Sequence, residues 1–286
     1  RVRAYEFPDA PVGGPGGAWA YGANLDYMKE LVAYWQRGFD WRKAEAGLNR
    51  FPQFKARVGD LDIHVVHEKG SNQKPRPLIL SHGWPGSFFE FMHIVETLAH
   101  PERFGGKAED AFDVVVPSLP GYGFSSKPKK PMSPRSVAHV FDALMTDALG
   151  HKSYLAQGGD WGSSISGWLG YEGKGCSAVH LNMYGWRPPG VAPETDEEKA
   201  YATQSAAMFD FEGAYFRLQA TKPLTLAYAM ADSPVGVCAW IVEKFKTWSH
   251  LKDENIESAY TKDQLLTNVM IYLVTNTFAT STWMYR

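Results

Sequence analysis

Cysteine is scarce in this chain. Only two of its 286 residues are cysteines, Cys176 and Cys238, and neither belongs to a CxxC pair. Two cysteines in so long a chain exclude a disulfide-rich scaffold and a cysteine-based metal centre. The two could pair with each other, but the simpler interpretation is two free thiols in a reducing compartment.

Clustered charge and long apolar runs are missing as well. Lysine plus arginine number 29 and aspartate plus glutamate 31, with no block of like charge, so we expect no nucleic-acid partner. No apolar run reaches the roughly 18 residues of a membrane-spanning helix. Residues 1–15 carry charge and proline and do not look like a signal peptide. These absences predict a cytoplasmic protein.

The chain still has ample material for a core, since 44% of its residues are apolar and 14% are aromatic. Its length suits a large domain with an accessory part. After an irregular Pro- and Gly-rich start, helices are predicted at Asn24–Arg37, capped by Asn24, and from Asp40 to about Asn49. We interpret residues 1–53 as an extension that wraps the core.

From residue 54, short β-rich runs begin, and helical stretches separate the later ones. The predicted strands are Phe54–Val58, Asp62–Glu68, Pro77–Ser81, Phe112–Val116, Ser153–Gln157 and Ala178–Met183. The predicted helices are Glu90–Ala99, Pro134–Leu149 and Trp161–Tyr171. This alternation favours an α/β fold with a mostly parallel sheet over residues 54–186, and sites in such folds lie at the carboxyl ends of strands.

The strand signal fades beyond residue 186, and we interpret residues 187–286 as a helical cap over the sheet. The predicted helices are Thr195–Met208, Val235–Trp248 and Lys262–Thr275, with prolines such as Pro223 and Pro234 as punctuation between them.

One strand–helix turn has the spacing of a nucleophile elbow. In Gly158-Gly-Asp160-Trp-Gly162 the flanking glycines allow a strained backbone and a close approach of strand and helix. The central residue is Asp160 rather than serine. A carboxylate nucleophile forms an ester by attack on saturated carbon, which suits an epoxide or an alkyl halide. The alternative is that Asp160 only caps the following helix.

A second loop supports the nucleophile. Ser81-His-Gly-Trp84-Pro-Gly-Ser87 directly follows an apolar strand. In an α/β-hydrolase this loop and the residue after the nucleophile each give a backbone N–H to the oxyanion hole, which assigns Trp84 and Trp161. We expect the His82 side chain to be structural. His64 and His67 form a weak HxxH metal cue, and we take them as structural too, so no metal is expected.

Three motifs together resemble an epoxide hydrolase of the α/β-hydrolase superfamily: HGWPGS at 82–87, PSLPGYGFSS at 117–126 and GGDWG at 158–162. The N-terminal text at 34–54 and the cap text at 232–248 and 265–282 are similar to the microsomal-type branch. The resemblance implies an α/β-hydrolase fold with an N-terminal extension and a helical cap. It also implies conversion of a hydrophobic epoxide to a vicinal diol, with water as the second substrate, no cofactor, and scope for a homodimer.

In this family two cap tyrosines hold and protonate the epoxide oxygen. By local text these are Tyr215 in GAYFRLQATKP and Tyr285 in STWMYR. A phenol can donate a hydrogen bond to a developing alkoxide while it stays neutral at pH 7. We interpret Tyr122, Tyr184 and Tyr228 as ordinary core or pocket-lining residues. Cap aromatics could line an apolar pocket, namely Phe209, Phe211, Tyr215, Phe216, Trp240 and Trp248.

Two alternatives to an epoxide hydrolase remain open at this point. A haloalkane dehalogenase shares the sheet, the aspartate and the following tryptophan, but would not need the paired tyrosines. A non-enzymatic binding relative would bind ligand without a covalent adduct on Asp160.

The family hydrolyses its ester with a His–acid pair on strands that follow the cap, and none of the nine histidines matches that base. We therefore expect those strands to be absent, which leaves an apolar face exposed. We predict that a chain of 31.9 kDa forms the alkyl ester but releases no diol. Intact mass together with steady-state diol formation tests this, and fast multiple turnover at that mass would contradict it.

Overall fold

The computed structural model describes residues 1–11, 17–183 and 190–286, and its centre is a sheet of six strands. The strands are β1 Gln53–Val58, β2 Leu61–Glu68, β3 Arg76–Ser81, β4 Phe112–Pro117, β5 Tyr154–Gly158 and β6 Cys176–Leu181. All six predicted strands are confirmed, with boundaries that differ by one or two residues.

The spatial order of the strands is β1-β2-β4-β3-β5-β6. β1 and β2 form an antiparallel hairpin through Gly59, whose φ of 59° suits glycine, and β2 also pairs antiparallel with β4. The remaining neighbours are parallel, so β3, β4, β5 and β6 all end at the same edge of the sheet. This is the predicted mostly parallel sheet.

Side chains alternate between the two faces of the sheet, and each face has its own core. Ile63, Ile79, Val115 and Ala156 pack on one face against helices α4 (Pro134–Ala143) and α5 (Trp161–Glu172). On the opposite face, apolar residues of β2, β3 and β4 pack against the segment after β3, with the buried set Val66, Leu78, Leu80, Val114, Val116, Phe88 and Phe91.

The helices between the strands differ partly from prediction. The single helix expected at Glu90–Ala99 is wrong: a 3₁₀ turn spans Phe88–Phe91 and a short helix, α3, spans Val95–Ala99. Phe88, Phe91 and Val95 are all buried here, so packing on the sheet overrides the local helical pattern. α4 continues as a π-helical turn over Leu144–Ala148, which completes the predicted stretch.

The N-terminal section contains α1 (Leu25–Arg37) and α2 (Trp41–Leu48), as predicted. Asn24 and Asp40 accept hydrogen bonds from backbone N–H groups of the first turns, so both act as the expected caps. α1 packs against the cap helix α10 (Lys262–Thr275). The Tyr34 hydroxyl donates to Asp263 at 2.7 Å and Lys262 pairs with Glu30 at 2.8 Å, which joins this section to the cap.

The rest of the cap is helical. Its helices are α6 Asp196–Glu212, α7 Ala214–Thr221, α8 Pro223–Asp232, α9 Pro234–Thr247, α10 and α11 Phe278–Ser281. The sequence analysis does not predict α7 and α8, because it treats Pro223 as a break between helices. Proline is favoured in the first helical turn, and both Pro223 and Pro234 begin helices.

The outer strand β6 is exposed along most of its length. Val179 on this strand retains 43% of its accessible surface. Cys176 and Cys238 are both free. Within the described ranges, no single helix has the length and apolar character to cross a membrane, although the bent pair α8 and α9 meets those criteria when taken together.

Candidate active site

Asp160 lies between β5 and α5 in a turn that needs glycine on both sides. Its φ of 52° places a non-glycine residue in the left-handed region, a strain that is characteristic of functional sites. A Cβ on Gly158 would overlap the Gly162 carbonyl, and a Cβ on Gly162 would overlap the Ser81 carbonyl. The glycines therefore let β5, α5 and the end of β3 approach closely enough to hold Asp160 at the sheet edge.

The Asp160 side chain does not cap α5. Its Oδ1 accepts a hydrogen bond from the Trp84 backbone N–H at 2.7 Å, and the Trp161 backbone N–H also bonds to the carboxylate. Burial in the surrounding protein raises the pKa of Asp160 to about 6, and the hydrogen bonds from these two N–H groups limit that rise. The capping alternative therefore fails, and the two predicted oxyanion donors meet at the predicted nucleophile.

The loop after β3 is positioned by cap helix α10. Asn268 donates to the Pro85 carbonyl at 2.8 Å, and the Tyr272 hydroxyl donates to the Gly86 carbonyl at 2.6 Å. A side chain at Gly83 would collide with the Asp160 carboxylate, which explains the glycine before Trp84. No sequence motif indicates Asn268 or Tyr272, because a bond to a backbone carbonyl far along the chain leaves no local pattern.

The second loop, residues 117–126, is docked by α11. The Tyr122 hydroxyl donates to the Ser281 carbonyl at 2.8 Å, and the Thr280 hydroxyl donates to the Gly121 carbonyl at 2.5 Å. Tyr122 is thus buried and structural, as expected. Tyr228 is 77% exposed, so its assignment to the core or pocket is wrong. Tyr184 lies outside the described residues.

Tyr215 and Tyr285 lie together above the two tryptophans that flank Asp160. The Tyr215 ring stacks on Trp84 at 5.3 Å between centroids with an interplanar angle of 8°. Tyr285 packs edge-on against Trp161 at 4.9 Å, and the two tyrosine rings are 5.9 Å apart. The structure therefore brings together all five predicted site residues, although they span 202 positions of the chain from Trp84 to Tyr285.

Burial and the nearby Asp160 charge both act on the two phenols. Burial raises the pKa of Tyr215 to about 12, with Asp160 adding to the rise and a hydrogen bond with Tyr285 opposing it. The pKa of Tyr285 is raised further by the same two causes. Both side chains are therefore neutral hydroxyl donors at pH 7, which is the protonation state that an acid for an alkoxide requires.

A buried cation supports the Tyr215 ring from the cap. The Lys244 ammonium lies 5.1 Å from the Tyr215 ring centroid and 5.3 Å from that of Trp248, and it pairs with Glu243 at 2.7 Å. Such contacts fix the orientation of an aromatic ring. Nothing in the sequence singled out Lys244, because Tyr215 lies on a separate helix, α7.

A cavity of about 960 Å³ opens beside Asp160 along the exposed sheet face. Its walls are largely apolar and include Trp84, Phe91, Leu155 and Trp248. Of the other expected pocket aromatics, Phe211 is 80% exposed and Phe209 is exposed too, so those two assignments are wrong. Both phenylalanines lie on α6, which has acidic residues in its first turn and no buried residue. This helix therefore faces water rather than the cavity.

Polar groups in the same cavity were missed by the sequence analysis. Glu90, Gln157, His180 and Asn182 line it together with Asp160. Glu90 is a second carboxyl group that lines the cavity with Asp160. Because Glu90 lies in a segment that the local pattern predicts to be a plain helix, the pattern does not indicate that it faces this cavity.

The histidines near the site are structural, with one exposed exception. His82 donates through Nδ1 to the Gly83 carbonyl, and its Nε2 accepts from the Leu119 N–H at 3.1 Å. Burial lowers its pKa to about 4, so the ring is neutral as expected. His180 lines the cavity from β6. Across the described ranges, no histidine is hydrogen-bonded to Asp160.

Comparison with known proteins agrees with this geometry. The model for the epoxide hydrolase N terminus matches residues 1–91, and that for the alpha/beta hydrolase fold matches residues 76–230, more than half of the chain. The chain belongs to the epoxide hydrolase family of α/β-hydrolases. The family assignment and the α/β-hydrolase fold predicted from the motifs are thus confirmed.

Individual relatives carry the same family name. A putative epoxide hydrolase of Stigmatella aurantiaca is 42% identical over 93% of this chain and 61% of its own length. Epoxide hydrolase 1 of Oryctolagus cuniculus is 37% identical, with 93% and 64% covered. The chain thus spans less than two thirds of the length of these relatives.

Solved structures give the same result. Aspergillus niger epoxide hydrolase superposes with a TM-score of 0.86 at 32% identity, covering 100% of this chain and 73% of that one. Juvenile hormone epoxide hydrolase of Bombyx mori superposes with a TM-score of 0.82 at 32% identity, covering 99% and 70%. The comparisons give no support to the dehalogenase or the non-enzymatic alternative.

The glycine requirement of this epoxide hydrolase elbow can be tested within one helix. We expect Gly162→Ala to destabilise the fold by about 3 kcal/mol or more and to abolish reaction at Asp160, because the new methyl group overlaps the Ser81 carbonyl. Gly167→Ala is the matched control in α5, since its Cβ would meet nothing within 4 Å, and it should stabilise by about 0.5–1 kcal/mol. Denaturant unfolding measures both, and equal stability of the two variants would refute the close approach.

Proposed function

We propose that the protein converts a hydrophobic epoxide to a vicinal diol through an ester on Asp160. The observation that carries this proposal is the packing of Tyr215 and Tyr285 from the cap against Trp84 and Trp161, whose backbone N–H groups bind the Asp160 carboxylate. A carboxylate attacks carbon, and a phenol supplies the proton that the opened oxygen needs. An ester or amide hydrolase would need neither feature.

In the first half-reaction, an Asp160 oxygen attacks one carbon of the epoxide. The bond from that carbon to the epoxide oxygen breaks, and the oxygen takes a proton from Tyr215 or Tyr285. The product is a hydroxyalkyl ester on Asp160 with one tyrosinate, which water reprotonates. Because the two tyrosine rings lie 5.9 Å apart, either phenol can serve as the donor while the other stabilises it.

In the second half-reaction, water attacks the carbonyl carbon of the ester. Negative charge then develops on the carbonyl oxygen of Asp160, where the Trp84 and Trp161 backbone N–H groups already point. Rigid donors aimed at a developing oxyanion contribute about 3–4 kcal/mol each in enzymes where one has been removed. The tetrahedral intermediate collapses to release the diol and restore the Asp160 carboxylate.

This second step also needs a base for the water. We propose that the base is a histidine with an acid partner outside the described residues, because His82 is neutral and bonded at both ring nitrogens. The length of the relatives beyond the matched part is consistent with that assignment. His180 is the competing candidate, since it shares the cavity with Asp160.

The substrate we infer is a hydrophobic epoxide of moderate size. The cavity walls are mainly apolar, and its volume falls within the range of small-molecule sites. Several similar proteins are named juvenile hormone epoxide hydrolases, which accords with an epoxide as the substrate. A cytoplasmic location and assembly as a homodimer stay predictions.

The nucleophile and the two acids can be tested with styrene oxide. We expect an adduct equal to the substrate mass on Asp160 in the parent chain and none in Asp160→Ala. Tyr215→Phe and Tyr285→Phe should each slow adduct formation at least about tenfold, and the double variant about 10²–10⁴-fold. Tyr228→Phe is the matched control, because that side chain is exposed, and its rate should not change.

Intact-mass and peptide mass spectrometry report the adduct, and diol release reports the second step. Equal consumption of styrene oxide by the parent chain and Asp160→Ala would refute the assignment. If the parent chain releases diol repeatedly, His180→Gln shows whether His180 is the base.

The reaction should also depend on pH through Asp160. Attack requires the carboxylate, and the pKa of Asp160 is about 6, so the single-turnover rate of ester formation should rise from pH 5 to 7 with a midpoint near 6. Since the pKa of Tyr215 is about 12, no loss of the acid is expected between pH 7 and 9. Rapid-quench mass spectrometry gives the profile, and a rate that stays constant down to pH 4 would contradict it.

A further inference from the structure

Two histidines and an aspartate meet at the end of the sheet opposite Asp160. His67 lies on β2, Asp113 lies at the start of β4, and His151 precedes β5. Asp160 follows the carboxyl end of β5, whereas Asp113 and His151 lie at the amino ends of their strands. The cluster is therefore separate from the site described above.

The register of the sheet explains why these side chains converge. His67 is opposite Val115 in the β2–β4 ladder, so Asp113, two residues away, shares its face as a diagonal neighbour. His151 approaches from the turn before β5, where its backbone N–H bonds to the Met145 carbonyl at the end of the π-helical turn. Three separate segments thus contribute one side chain each.

The potential ligand atoms are close together and nearly buried. His67 Nε2 lies 2.9 Å from Asp113 Oδ1, and His151 Nε2 lies 3.6 Å from Asp113 Oδ2. All three ligand atoms lie within 4.8 Å of one another, and the side chains retain only 9–16% of their exposure. Because the three side chains are nearly buried, few water molecules can solvate their polar atoms.

One ring nitrogen of His151 is not accounted for by the hydrogen bonds of this cluster. Its Nε2 is buried and has no hydrogen-bond partner, and 3.6 Å from Asp113 is too long for such a bond. A buried polar atom without a partner is costly, and an unplaced ion is one recognised cause.

We propose that His67, Asp113 and His151 bind one divalent transition-metal ion, with Zn²⁺ as the preferred ion. Two imidazole nitrogens and one carboxylate oxygen are a common ligand set for such ions, with water in the remaining position. Bond lengths of about 2.0–2.2 Å place tetrahedral ligand atoms about 3.4 Å apart. The His67–Asp113 pair at 2.9 Å must therefore separate slightly, and ligand atoms that now lie up to 4.8 Å apart must approach by up to about 1.4 Å. The ion would replace the His67–Asp113 hydrogen bond and link β2, β4 and the turn before β5.

One neighbouring charge opposes a cation. Continuing the ladder beyond Glu68–Val114 places Lys69 opposite Asp113, and its ammonium acts on both Asp113 and His151. Lys69 is exposed, so water screens much of this repulsion. We therefore expect Lys69→Met to tighten binding severalfold, which a purely structural hydrogen-bond cluster would not show.

The test is zinc titration of the untagged, EDTA-treated chain by isothermal calorimetry. We expect one equivalent of Zn²⁺ to bind and the unfolding temperature to rise with it. Binding should weaken at least tenfold in His151→Gln and in Asp113→Asn. His139→Gln is the matched control, because His139 is an exposed histidine paired with Glu172, and its zinc affinity should equal that of the parent chain.

A spectroscopic measurement keeps the proposal testable if a variant folds poorly. Co²⁺ bound to the parent chain should give the visible absorption of a site with nitrogen and oxygen ligands, and Zn²⁺ should displace it. No stoichiometric binding by the folded parent chain, or equal affinity in His151→Gln, would overturn the proposal. Reaction of Asp160 with styrene oxide should be unchanged in His151→Gln, which separates this result from the fate of the proposed function.

Discussion

The hydrogen bond from the Trp84 backbone N–H to the Asp160 carboxylate is the contact on which the site depends. It joins the loop after β3 to the turn after β5, and it is made at 2.7 Å. The contact exists because Gly83 and Gly162 leave no side chain between these segments. In the proposed reaction one geometry serves two states of Asp160, since the N–H groups that bind the carboxylate would also face the carbonyl oxygen of the ester.

The cap does more than supply Tyr215 and Tyr285. Asn268 and Tyr272 on α10 hold the carbonyls of the loop that carries Trp84, and Thr280 holds the second loop through Gly121. α10 in turn packs against the N-terminal helices. Nucleophile, oxyanion donors and tyrosines are therefore parts of one packed unit.

Much of the fold and the nucleophile could be predicted because their signals are local. Caps such as Asn24 and Asp40, alternating strands and the glycine spacing around Asp160 each act within a few residues, and all appear where expected. Tyr215 and Tyr285 were assigned through family resemblance, since nothing local distinguishes them from other tyrosines. The local pattern does not predict α8, because Pro223 was interpreted as a helix break although it is the first residue of that helix.

The sequence by itself determined that the proposed nucleophile is an aspartate, because the G-x-Asp-x-G spacing is a local pattern that marks the sharp turn and its central residue. Tertiary structure alone decided which groups face that nucleophile. Glu90 and Lys244 reach the site across long separations, through packing of elements whose relative positions no short pattern encodes. The same holds for His67, whose partners proved to be Asp113 and His151 rather than His64. The partners of His67 are determined by sheet register and burial, which are properties of the whole chain.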